Sequence, residues 1–191
     1  MFGMGKIKQM AAREDMEELA SWLVGQSLRF AAEITQNFKD IPPILAASEG
    51  LGFTINALRR ETYRAQEFKA WDNIFEPSMK QMYPLFAMTL SAWTGAEMDR
   101  TQVARDAENL VSSRNLEYQT LPFLIGAPDD RQTVTYAAAR RIAETADPAK
   151  RDEAIAFAHK VLTRVVEFEL PEQAARLEKT LYGSSKAAAV A

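Results

Sequence analysis

Apolar residues recur at intervals of three and four along almost the whole chain, whereas strictly alternating apolar and polar runs are scarce. Intervals of three and four place side chains on one face of a helix, so the pattern predicts helices and not strands. Acidic residues crowd the start of the first such segment, where the positive end of the helix dipole favours them. Between Glu14 and Lys39 its apolar stripe consists of Leu19, Trp22, Leu23, Phe30, Ile34 and Phe38.

Prolines divide the rest of the chain into further helices, because proline lacks an amide hydrogen and restricts the residue before it. The sequence DIPP closes the first helix, and a second helix begins after Pro43 or near Thr54 and ends at Glu76-Pro77. Asp99 or Thr101 caps a later helix. The remaining helices are predicted over 100–118 and 130–145, after Pro148, and from Pro171 to Gly183.

The stretch QMYPLFAMTLSAWTGA, residues 81 to 96, contains no charged side chain. A helix is predicted to begin at or near Pro84 and to end at Gly95. Its apolar residues point to every side, and a helix that is apolar all round belongs in the interior of a protein. This predicts a buried central helix near residues 84–94. The stretch is shorter than the roughly 20 apolar residues that cross a bilayer, so no transmembrane segment is expected.

Six or seven helices joined by short turns predict an all-α fold, an irregular helical bundle. A chain of 191 residues fits one domain. We expect a flexible or docking segment over residues 1–13, a single helical domain over 14–183 and a disordered tail over 184–191. The tail, SSKAAAVA, offers little apolar surface to bury.

The composition restricts the classes of function. The chain has no cysteine, which excludes disulfides, thiolate metal sites and a cysteine nucleophile and suits the reducing cytoplasm. Its net charge is −3 and both signs are mixed along the chain, whereas nucleic-acid-binding proteins concentrate basic residues on one surface. We therefore expect cytoplasmic localisation and no nucleic-acid partner.

The residue types of common catalytic and metal sites are missing. A di-iron bundle needs Glu-x-x-His pairs, but the single histidine, His159, has Ala156 three residues before it. One histidine without cysteine does not make a zinc site, and the sequence has no G-x-S-x-G motif of a serine hydrolase. His159 is expected to be a boundary residue with an ordinary hydrogen bond. No catalytic residue, bound metal or cofactor is predicted.

Two groups of carboxylates leave one enzymatic alternative. Glu14, Glu17 and Glu18 lie three and four residues apart on a helix, and Asp129 and Asp130 lie in a turn. Brought together in one cleft, they would hold magnesium in an enzyme that acts on phosphate-containing substrates. Stabilisation of a helix N-terminus by the glutamates, and capping of the next helix by the aspartates, explain the same residues without catalysis.

Methionine and aromatic residues concentrate around the charge-free stretch. Both types occur at adaptable binding surfaces and interface hot spots as well as in plain cores. The residues predicted to bind a ligand or partner are Trp71, Met82, Tyr83, Phe86 and Trp93.

The leading hypothesis is a non-enzymatic helical protein-interaction module, an adaptor, chaperone or assembly factor that binds another protein or a second copy of itself. The alternative is a bundle that binds an apolar small molecule in a pocket lined by methionine and aromatic residues. A cavity beside Met82, Phe86 and Trp93 would favour the small molecule. A solid core there, with exposed aromatic residues elsewhere, would favour the interaction module.

Overall fold

The computed structural model describes residues 3–65, 68–122 and 130–176. In these ranges six α-helices follow one another, and none of the described residues lies in a strand. The helices are α1 (Gly3–Asn37), α2 (Pro43–Ala65), α3 (Phe68–Thr94), α4 (Arg100–Tyr118), α5 (Val134–Ile142) and α6 (Arg151–Arg164). Short 3-10 turns at Asp130–Gln132 and Ala143–Thr145 flank α5, and a π-helical turn at Val165–Glu169 follows α6. The predicted all-α bundle of six or seven helices is confirmed.

One continuous core holds the helices together. α1 packs along α2 and α3, α4 packs on the same two helices, and α5 and α6 pair with each other beside α2 and α1. Each large apolar side chain that is fully buried contributes about 1.5–3 kcal/mol, so packing among α1 to α4 supplies most of the stability. The fully buried side chains of these helices include Leu19, Leu23, Ile34, Leu51, Phe53, Leu58, Met82, Phe86, Leu90 and Tyr118.

α2 starts at Pro43, the earlier of its two predicted starts, and therefore contains Gly50 in its interior. A Cβ atom at this glycine would lie 2.7 Å from Cδ1 of Phe30 in α1. The missing side chain thus allows the two helices to approach closely and Phe30 to be buried. This contact offsets the cost of about 1 kcal/mol of a glycine inside a helix.

Three predicted helix boundaries at prolines are wrong. α3 continues through Pro77 and Pro84. Around Pro84, burial of Met82, Tyr83 and Phe86 outweighs the hydrogen bond that this proline removes. Pro171 does not begin a separate helix, since helical backbone continues from α6 through the π-helical turn to the end of the described chain. In that turn the Leu170 amide donates to the Val165 carbonyl, five residues back. Pro171 directly follows this wider turn, and both features interrupt regular α-helix.

The predicted division into segments remains a prediction. Helical backbone starts at Gly3, so α1 runs without interruption across the boundary between residues 1–13 and the domain 14–183. The tail 184–191 lies outside the described residues. None of the described helices is long and apolar enough to cross a membrane.

The turn between α3 and α4 has the predicted signals at both helix ends. Gly95 has a φ of +66°, in the left-handed region, and its amide donates to the Ser91 carbonyl at 3.0 Å. Asp99 is the N-cap of α4, and its carboxylate accepts hydrogen bonds from the amides of Thr101 and Gln102 at 3.0 and 3.2 Å. Gly95 as the end of α3, and Asp99 as the cap of a helix over 100–118, are confirmed.

We expect Gly95→Ala to lower the free energy of unfolding by about 1 kcal/mol, because a Cβ atom is disfavoured in the left-handed region. Gly25→Ala is the matched control, since neither position has an atom within 4 Å of an added Cβ and Gly25 lies inside α1. The control should raise stability by roughly 0.5–1 kcal/mol. Urea unfolding followed by circular dichroism measures both, and equal effects would contradict the role of Gly95.

Candidate functional site

The residues predicted to form a binding site are divided between the core and the surface. Met82 and Phe86 are fully buried, and Tyr83 is buried beside them. Trp93 is 40% exposed at the C-terminal end of α3. The side chain of Trp71 lies outside the described part of the structure. Met82 and Phe86 therefore belong to the inner side of α3. Trp93 follows Phe86 by seven residues on the same side and is exposed where the helix ends.

The outer side of α3 carries no charge for more than three turns. The α3 surface consists of the exposed residues Gln81, Pro84, Met88 and Ala92 of this side, together with Trp93, which is exposed at the end of the helix. Met88 is 48% exposed, and the spacing of four from Pro84 to Met88 to Ala92 places these residues on one side of the helix. Exposed apolar surface of this kind is typical of an interaction site.

A shallow depression of about 590 Å³ lies beside the α3 surface, at the turn into α4. Its lining includes the small residues Ala92, Gly95 and Ala96, with Asp99 and Arg100 at its α4 edge. Small residues allow another backbone to approach closely. The depression therefore extends the α3 surface beyond the end of the helix.

A second group of functional side chains lies inside the bundle, between α2 and α4. Glu49 of α2 is only 1% exposed, and its carboxylate is bound by the guanidinium of Arg114 of α4. Arg114 Nε lies 3.1 Å from Oε1 and 2.8 Å from Oε2 of Glu49, and Arg114 Nη2 also donates to Oε1. A buried carboxylate without a partner is strongly unfavourable, so this pair fixes α4 against α2.

The ion pair continues towards the surface through alternating charges. Arg114 also donates to Glu117 at 3.1 Å, and Glu117 accepts a hydrogen bond from Arg141 of α5 at 3.3 Å. Arg141 lies 3.9 Å from Glu144. The outer pairs are largely solvated and contribute little stability individually. Their effect is to connect the buried pair to α5.

Two further residues complete the contact between α2 and α4. Arg60 donates to the carbonyls of Leu121, at 2.8 Å, and of Tyr118, and so satisfies acceptors at the C-terminal end of α4. The Tyr118 side chain is fully buried, and its hydroxyl has no hydrogen-bond partner among the described residues.

Burial and neighbouring charges shift the titration of this cluster. Burial raises the pKa of the Tyr118 phenol, and the Glu49 carboxylate raises it further. The hydrogen bond to Glu49 holds the pKa of the Arg114 guanidinium above its usual range. Arg114 is therefore permanently charged, and Tyr118 stays neutral far beyond neutral pH.

His159 of α6 makes contacts to α5. Its Nε2 lies 3.2 Å from the hydroxyl of Thr135, which lies 2.9 Å from the hydroxyl of Thr133. Its ring meets that of Tyr136 edge-on, with centroids 5.9 Å apart. These contacts agree with the predicted boundary histidine held by an ordinary hydrogen bond.

The magnesium hypothesis rests largely on side chains outside the described part of the structure, those of Glu14, Asp129 and Asp130. Glu17 and Glu18 are exposed, and Glu18 lies 4.0 Å from Arg176. Among the described residues, no group of three or more histidine or carboxylate side chains is placed to hold a metal ion.

The sequence pattern misses two features of these sites. The spacing of apolar residues does not show which side of α3 is buried. The predicted binding residues therefore include the buried Met82 and omit the exposed Met88. The pattern also gives no prediction for Glu49, although this glutamate follows the buried Ala46 by three residues and precedes the buried Phe53 by four. An acidic residue on the apolar stripe of a helix is the signal that could have revealed the buried ion pair.

Comparison with known proteins gives no assignment. No protein-family model, no curated protein and no solved structure matches the chain. The function is therefore inferred from the residues and contacts described above.

We expect Arg114→Met to lower the free energy of unfolding by about 3–5 kcal/mol, because it leaves the buried Glu49 carboxylate without a cation. Adding Glu49→Gln to this variant should restore part of the loss, since it removes the unpaired charge. Chemical denaturation measures both variants.

The control for this prediction is Arg164→Met. Arg164 also binds a glutamate with two hydrogen bonds, to Glu33 at 2.7 and 3.2 Å, but this pair is exposed. Its loss should cost less than about 1 kcal/mol. Similar losses for the buried and the exposed pair would contradict the role given to Glu49 and Arg114.

Near neutral pH, Tyr118→Phe should leave the free energy of unfolding unchanged or raise it by up to about 1 kcal/mol, because it removes a buried hydroxyl that has no partner. Above about pH 10 the wild type should lose stability relative to the variant, since the phenol ionises in the unfolded chain while its folded-state pKa is higher. Denaturation curves at neutral and alkaline pH test this. A larger alkaline loss in the variant would contradict it.

Proposed function

We propose that the chain is a non-enzymatic protein-interaction module whose α3 surface binds an apolar segment of another polypeptide. The observation that carries this proposal is the exposure of Met88 on a side of α3 without charge, with Trp93 exposed at the end of the same helix. An adaptor, chaperone or assembly factor acts through a surface of this kind.

The two side chains suit a partner better than solvent. Methionine adapts its shape to irregular surfaces, and tryptophan is enriched at interface hot spots. Roughly half of each side chain is exposed, so covering them would contribute about 1 kcal/mol each. This is less than the roughly 4–15 kcal/mol lost in association, so the partner must also contact Pro84, Ala92 and the depression beside them.

The packing around Met82 and Phe86 argues against a small-molecule pocket at that place. Neither side chain has exposed surface, and both belong to the continuous core. A ligand beside them would have to displace packed side chains. An exposed aromatic ring instead lies at Trp93, and this arrangement favours the interaction module.

The test is native mass spectrometry of the tagged protein, purified gently from its source cells. We expect the wild type to travel with a second polypeptide, or with a second copy of itself, in a fixed ratio. Met88→Glu should reduce the bound fraction at least about tenfold, because the interface would have to bury an unpaired carboxylate.

Leu116→Glu is the matched control, because Leu116 is an apolar side chain that is 72% exposed on α4, outside the α3 surface. This variant should keep the partner in the wild-type ratio. Circular dichroism verifies that both variants are folded. Retention of the partner by Met88→Glu, or equal loss from both variants, would refute the proposal.

A further inference from the structure

A groove between the end of α1 and the second half of α6 is separate from the α3 surface and independent of the proposed function. This α6 groove has a volume of about 580 Å³, within the usual range of small-molecule sites. Its walls are mainly apolar and are supplied by Phe157, Val161 and Phe168.

The two phenylalanines differ in how firmly they are held. The Phe157 ring meets Phe38, the residue after α1, edge-on, with centroids 5.7 Å apart. Phe168 lies on the π-helical turn and is 69% exposed. Turns of this type are frequent at functional sites, and a ring so exposed is stabilised when an apolar group covers it. The Phe157 side of the groove is thus held by its contact with Phe38, whereas the Phe168 ring is exposed to solvent.

The groove also contains a hydrogen-bond donor that the protein does not use. Thr163 Oγ1 is buried and has no hydrogen-bond partner among the described residues. Other helical threonines of this chain donate to the carbonyl four residues back, at 2.8 or 2.9 Å, namely Thr35, Thr54, Thr89 and Thr94. Thr163 lines the groove, so a change of its χ1 rotamer would present this buried hydroxyl to a ligand.

The charges that line the groove are not all paired. Arg164 is held by Glu33 of α1. Lys160 is exposed and forms no ion pair with any carboxylate in the described ranges. Glu167 likewise forms none with a described cation, and it would oppose a negatively charged ligand. The unpaired donors are thus one hydroxyl and one ammonium group.

From these groups we propose that the α6 groove binds a small amphipathic carboxylate. Its acyl or aromatic body covers Phe168 between the apolar walls, and its carboxylate accepts hydrogen bonds from Thr163 and Lys160. The apolar walls select an uncharged body, because burying a charge against them is unfavourable. The hydroxyl of Thr163 and the ammonium group of Lys160 favour a ligand with a hydrogen-bond acceptor, and a carboxylate accepts stronger hydrogen bonds than an uncharged group.

The experiment is a titration of the isotope-labelled protein with octanoate and, separately, with 1-octanol, followed by amide NMR signals. Octanoate should shift the signals of residues 157–168 in a saturable manner. In the series from hexanoate to decanoate, each added methylene should tighten binding about fourfold while the groove still has room for it.

Variants separate the apolar contact from recognition of the carboxylate. Phe168→Ala should weaken both probes about tenfold. Lys160→Gln should weaken octanoate about threefold and leave 1-octanol unaffected, whereas Glu167→Gln should tighten octanoate by a similar factor. Leu116→Ala and Lys150→Gln are matched controls, since both residues are exposed outside the groove. Both should bind the probes as the wild type does.

Three results would overturn the proposal: no saturable shift in residues 157–168, the same affinity in Phe168→Ala as in Leu116→Ala, or equal weakening of both probes by Lys160→Gln. Met88→Glu should bind octanoate as the wild type does. Failure at the α6 groove is therefore distinguishable from failure of the proposed partner binding.

Discussion

A carboxylate inside a helical bundle is tolerated only if a cation reaches it, and Glu49 and Arg114 meet this condition. The two residues lie 65 positions apart, so their pairing requires α4 to lie along α2 in one register. Tyr118 then enters the core one turn later, and Arg60 reaches the C-terminal end of α4. Because only the short turn at Gly95 separates α3 from α4, the same register positions the end of α3. Apolar burial supplies most of the stability, and we infer that the ion pair selects one arrangement.

The two sides of α3 are apolar for different reasons. The inner side, with Met82 and Phe86, is buried in the core, and any helix in this position would need such residues. The outer side faces water, where the core does not require Met88 to be apolar. We propose that partner binding accounts for Met88, and that binding of an amphipathic ligand accounts for the exposed Phe168 of the π-helical turn. The two surfaces differ in chemistry, since the α3 surface itself is uncharged and has charges only at the edge of the adjoining depression, whereas the α6 groove combines aromatic walls with a lysine.

Local signals in the sequence predicted the local features of the fold. Helical spacing gave the fold class, and Gly95 and Asp99 gave the ends of α3 and α4, because each acts through its own backbone or its nearest amides. Pro84 is a misleading signal for a helix start, since the packing of Met82 and Phe86 in the core holds α3 helical through it. Long-range pairing also explains why Glu49 was not predicted, because its partner is in another helix. Which residues of α3 face outward depends on where α1 and α4 lie, and this is why Met88 was missed.

The burial pattern of α6 shows what the π-helical turn does to the side chains that follow it. Before the turn, buried residues recur at α-helical steps, through Ala158 and Val161 to Val165. The next buried residue is Leu170, five positions later, where an uninterrupted α-helix would have brought residue 168 or 169 to the inner side. The turn therefore acts like the insertion of one residue, which rotates the rest of the helix by about 100°. Phe168 is thus exposed because the residues after the turn are rotated about the helix axis. One extra residue moves its aromatic ring from the core to the surface and brings Leu170 into the interior in its place.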